Sequence, residues 1–139
     1  MEVIMRRAFT SSVLIFSLLA AIAQADHTLP SGTMNRLYQD TRNLYKSVMY
    51  SPLHNGVKQS VYYFRRDVEN LMRCMQGPHD SATEKRDHDL LPEYCEHYLD
   101  SVHYSWYQVD RYLWDTNFDY PQVYYYYRFV RDDVRYLPH

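Results

Sequence analysis

Apolar residues recur along this chain in four stretches, at alternating steps of three and four, the spacing that lays one sticky stripe along a helix. The first stripe is Met34, Leu37, Thr41, Leu44 and Val48, and the second Val57, Val61, Phe64, Val68, Leu71 and Met75. The third is Cys95, Leu99, Val102, Trp106, Val109 and Leu113, and the fourth Val123, Tyr127, Val130, Val134 and Leu137. In a chain of 139 residues these faces have little to bury against except one another. The expected fold is all-α, an antiparallel four-helix bundle made of two helical hairpins.

Local signals mark the helix ends. Pro30-Ser31 opens the first helix with Ser31 as N-cap, and Ser51-Pro52 separates it from the second, serine as the cap and proline in the first helical turn. Gly77-Pro78 stops the second helix. A charged connection from His79 to Asp89 follows, where Ser81 or Thr83 could start one turn. Pro92-Glu93 opens the third helix, Thr116-Asn117 to Pro121 makes the last turn, and the fourth helix ends at Leu137-Pro138. Only three glycines occur, too few for a fold built on sheet turns. The runs Val61–Phe64 and Val123–Tyr127 have strand propensity, but their neighbours keep the helical step, so periodicity overrides it.

A faint internal repeat fits two hairpins. Phe64-Arg65-Arg66-Asp67-Val68 with Leu71 echoes Val130-Arg131-Asp132-Asp133-Val134 with Leu137. Tyr38-Gln39, Arg42 and Leu44 echo Tyr107-Gln108, Arg111 and Leu113 at a slightly different offset. The stripes alone are narrow for a stable core. Tyr38, Tyr45, Tyr63, Tyr98, Tyr112 and Tyr126, each one position from a stripe residue, are expected to widen it while turning a hydroxyl to water.

The first 25 residues read as an export signal. Arg6 and Arg7 precede an apolar run from Val13 to Ala23, and Ala23-Gln24-Ala25 offers small residues for cleavage before Asp26. Arg6-Arg7-Ala8-Phe9 resembles a twin-arginine signature, though Met5 and Thr10 flank it poorly and the apolar run suits ordinary secretion. Residues 26–139 then form a single helical-bundle domain, periplasmic or secreted. The formal net charge of −2, with no basic block, argues against nucleic acid and against an electrostatic grip on membrane after the signal is removed. Two cysteines, Cys74 and Cys95, in an exported chain imply a disulfide between the hairpins.

The outward faces repeat tyrosine beside arginine, a composition enriched in protein interfaces. Tyr62 and Arg66 on the second helix, Tyr104, Tyr107 and Arg111 on the third, and Tyr125 and Arg128 on the fourth are the candidate interaction residues. The partner is expected to be another protein or a further copy of this chain, as in a homo-oligomer. Glu93, His97 and Asp100 share a helix face as weak metal candidates, and Met72, Cys74, Met75 and His79 with Cys95 and His97 would suit a soft metal if the thiols stayed reduced. No stripe carries a histidine or carboxylate; His103 lies at the margin of the third. His97 and Ser101 have no third group for a triad, and pairs such as Asp132-Asp133 and Asp87/Asp89 fall where charges are expected to be solvated. The resulting expectation is a small exported, non-enzymatic, cofactor-free bundle that binds protein; the alternative is a metal- or haem-binding periplasmic four-helix bundle.

Overall fold

Polar punctuation and apolar periodicity meet in four rods. The structure, a computed structural model, describes Leu29 and residues 32–77, 91–116 and 119–139. Among these residues lie α1 (Thr33–Met49), α2 (Asn55–Gln76), a 3-10 turn (Glu93–Cys95), α3 (Glu96–Leu113) and α4 (Pro121–Val134), with no strand. The runs with strand propensity are helical, because burying a whole stripe outweighs a local preference worth at most about 1 kcal/mol per residue. The expected export signal, and the connection from His79 to Asp89, lie outside the described residues.

Every stripe residue is buried except Trp106, which is half-buried and packs against the core. Leu29 and Leu91, from the connecting segments, join the same cluster. Of the marginal tyrosines, Tyr38, Tyr45, Tyr98 and Tyr126 pack on the core as expected. Tyr63 and Tyr112 do not: both are exposed, Tyr63 meeting Tyr62 edge-on and Tyr112 meeting the His54 ring. Tyr120 and Tyr124 pack on the core too.

Three helix ends differ from the sequence expectation. Gly32, not Ser31, stands at the N-cap of α1, in the left-handed region at φ 76°, where a β-carbon would be strained. Ser51 does not cap α2; its hydroxyl donates back to the Val48 carbonyl at 2.6 Å and closes α1 instead. His54 takes that role, its Nδ1 accepting the Gly56 N–H at 3.1 Å. A β-carbon on Gly56 would stand 3.0 Å from the His54 ring, so glycine leaves room for the cap. Helix α4 stops at Val134, short of Leu137, which is carried into the core by the following turn.

Helix α1 packs on α2 and α4, and α2 packs on α3, while α3 and α4 touch more thinly. Large rings account for the thin seam. Trp106 stacks on Tyr127 with centroids 5.6 Å apart and reaches Phe64 at 5.3 Å, so bulky side chains hold the backbones apart where valine and leucine pack them closely elsewhere. Cys74 and Cys95 are joined by a disulfide that ties the end of α2 to the 3-10 turn before α3.

Candidate interaction surface

Helical periodicity decides which side chains can leave the core, and the outward tyrosines are where it places them. Tyr62, Tyr104, Tyr107 and Tyr125 are exposed by 49, 70, 58 and 49% respectively. Arg66, Arg111 and Arg128 are exposed as well. Their spacing sets them against one another. Arg111 lies 5.8 Å over Tyr107, Arg128 6.0 Å over Tyr125, and Arg66 4.9 Å over Tyr63, each an arginine three or four residues after its ring. Such pairs are attractive, and they hold the guanidinium over its ring.

Tertiary packing sorts these residues into separate faces. Arg66 of α2 and Tyr104 of α3 line one cleft together with Tyr63, Asp67, Ser105 and Gln108, a hollow of about 290 Å³. Tyr125 lies across the molecule from it, on a groove of about 580 Å³ between α4 and α1 that also holds Arg36, Asp40, Tyr126 and Phe129. The Tyr125 and Phe129 rings meet edge-on at 5.0 Å.

One carboxylate departs from expectation, and a second is buried where no expectation was set. Asp133 is not solvated beside Asp132: it is 6% exposed, because the turn of α4 carries it onto α1. There its Oδ1 stands 3.6 Å from Arg36 Nε. Burial first, then the neighbouring Asp40 carboxyl, push Asp133 up to about 7, with Arg36 opposing. Its Oδ2 has no hydrogen-bond partner. Protonated, Asp133 can donate to Asp40, which satisfies that oxygen. Asp67 is likewise buried at 9% and accepts from Arg66 Nε and Nη2 at 3.3 and 3.2 Å. Neither acid falls on a stripe, so periodicity misses them. The signal that could have found them is the internal repeat, which puts Asp67 and Asp133 at matching positions.

In the α3–α4 seam the Tyr127 hydroxyl donates to Asp110 Oδ1 at 2.5 Å. Burial and this acid together raise Tyr127, so its hydroxyl stays protonated and the bond is a structural strut. His103, the marginal histidine, donates from Nε2 to the Pro138 carbonyl at 2.7 Å and fastens the C-terminus to α3.

The metal candidates are placed without a site. Glu93, His97 and Asp100 are all exposed, and the His97 ring lies against Tyr98 at 3.9 Å. Among the described residues no three His, Cys, Asp or Glu side chains gather closely enough to hold a metal ion. The soft-metal set loses its thiolates because Cys74 and Cys95 are bonded to each other; His79 lies outside the described residues. No helix among the described residues is long and apolar enough to cross a membrane. Comparison with protein-family models, curated proteins and solved structures finds no match for the chain.

Proposed function

We propose that this is an exported, non-enzymatic protein whose antiparallel four-helix bundle acts by binding another protein or further copies of itself. The observation that carries the reading is the set of exposed tyrosines stacked with arginines, Tyr107 with Arg111 and Tyr125 with Arg128, on faces turned away from the core. Tyrosine and arginine are the side chains that concentrate binding energy at interfaces, and preset pairs lose less rotamer freedom on binding. The up-and-down arrangement is supported by where the helix ends meet. His54 before α2 touches Tyr112 near the end of α3, and Arg36 near the start of α1 meets Asp133 near the end of α4. Export is supported by the signal-like first 25 residues and by the Cys74–Cys95 bond, which persists in oxidising compartments.

The test pairs self-association with capture. Sedimentation velocity and pull-down from the producing cells' extracytoplasmic fraction are run on the parent and on Tyr104→Ala/Tyr107→Ala/Arg111→Ala. A loss of assembly or capture, with the helical circular dichroism unchanged, is expected. Unaltered behaviour in this variant and in Tyr125→Ala/Arg128→Ala removes the surface from consideration.

A further inference from the structure

The internal repeat brings two seams of the molecule into register, and the difference between them describes a ligand. Ser60, Tyr63 and Asp67 on α2 match Tyr126, Phe129 and Asp133 on α4 at one constant offset. Tyr104, Ser105 and Gln108 on α3 match Asn35, Arg36 and Gln39 on α1 at a second. The first residue set lines the α2–α3 cleft together with the third. Their counterparts form the α4–α1 groove, with Asp133 beside it.

In the α4–α1 seam a guanidinium crosses between helices: Arg36 reaches the buried Asp133. The matching position in the α2–α3 seam is Ser105, whose short side chain bonds only within its own helix, so no guanidinium from α3 reaches Asp67 beside the hollow of about 290 Å³. Its lining offers several acceptors, beside the Gln108 amide and the Arg66 guanidinium, which donate. The Ser60 hydroxyl donates to the Gly56 carbonyl at 3.0 Å and that of Ser105 to the Ser101 carbonyl at 2.9 Å, so both protons are used within the helices. What the two oxygens can offer the hollow is lone pairs. Asp67 adds a buried carboxylate, and Tyr63 and Tyr104, both exposed, add electron-rich ring faces. Arg66 closes the rim, its side chain 53% exposed, lying on the Tyr63 ring and bonding Asp67 from the side. A guanidinium is therefore what the cleft already accepts from its own rim, and what its sister seam accepts across it.

We propose that the α2–α3 cleft is a socket for an arginine side chain of a partner protein, which bonds Asp67 between the rings of Tyr63 and Tyr104 as Arg66 swings outward. This rests on the protein-binding reading and names the partner's chemistry: an exposed arginine on a basic surface, in keeping with the chain's net negative charge. Arginine suits the socket better than lysine because its planar fork bonds a carboxylate through two N–H groups while its face stacks on tyrosine.

The test is an NMR titration of the ¹⁵N-labelled protein with N-acetyl-arginine amide, using the citrulline amide as the neutral isostere. Saturable, salt-sensitive shifts are expected at the amides of Tyr63, Asp67, Tyr104 and Ser105, and none with citrulline. Asp67→Asn, which keeps the shape, should abolish them. Arg66→Ala should tighten binding several-fold by removing the internal competitor. Ser105→Arg, which supplies the sister seam's side chain, should block the socket. Equal responses to arginine and citrulline, or binding that survives Asp67→Asn or weakens in Arg66→Ala, would overturn the proposal. If the protein captures its partner or self-associates but gives no saturable arginine response, the socket is wrong and the interaction reading stands.

Discussion

Asp133 shows how one side chain carries the physics of its surroundings into solution behaviour. Its acid group titrates near the ordinary 3.8 in the unfolded chain but is pushed up to about 7 in the fold by burial and by Asp40. Between those values the folded state holds a proton that the unfolded state has released. Stability therefore falls as pH rises across this window, by at most about 4 kcal/mol for a shift of this size. Urea midpoints measured between pH 4 and 8 should decline, and Asp133→Asn should flatten the decline; a midpoint that rises with pH in the parent would contradict the assignment. Thr41 offers a simpler case. It occupies a stripe position, is 1% exposed, and its hydroxyl has no hydrogen-bond partner. Thr41→Val should raise stability by about 1 kcal/mol, since a buried unpaired hydroxyl costs about 1–3 kcal/mol. Denaturant titration with an unchanged m-value would check it.

At the scale of elements, the disulfide and the seams matter most. Cys74 and Cys95 are 21 residues apart, and the bond between them limits the freedom of the unfolded chain over that span. Loop-closure entropy puts the loss in Cys74→Ser/Cys95→Ser at about 3 kcal/mol. Because the linkage tethers the start of α3 to the end of α2, the variant should also speed hydrogen exchange in the first turn of α3 before that of α1 is affected. Uniform acceleration across all four helices would mean that the bond acts on the whole fold instead. The α3–α4 seam is the other distinctive element. Trp106, Tyr127 and Asp110 replace aliphatic interdigitation with stacked rings and one charge-assisted hydrogen bond.

Over the whole molecule, the seven tyrosine and arginine residues read from the sequence do not make one patch. Arg66 and Tyr104 share the α2–α3 cleft, whereas Tyr125 borders the α4–α1 groove. Under the proposed protein-binding reading, two separate faces make two independent contacts. Combining Tyr104→Ala with Tyr125→Ala should then give losses that add within about 0.5 kcal/mol, as for distant independent sites. Calorimetric or sedimentation affinities for the two single variants and the double variant decide this. Strong non-additivity would point to one continuous interface.

The stripes were legible along the chain because a helix's period is a local property: Leu37, Val61, Val102 and Val130 needed only their own neighbours to be placed inside. The disulfide was legible for a related reason, since a chain with two cysteines has one possible pairing within itself. Packing decided the rest. The burial of Asp67 and Asp133, the exposure of Tyr63 and Tyr112, and the exchange of Ser51 for His54 as a cap depend on which neighbouring helix stands beside a margin residue and how far its side chains hold it away. A position on a helix's flank has no fixed environment until the next helix arrives, and that distance is set by side chains remote in sequence. Hence local order determined the core of this protein, and three-dimensional contact alone determined the clefts between its helices.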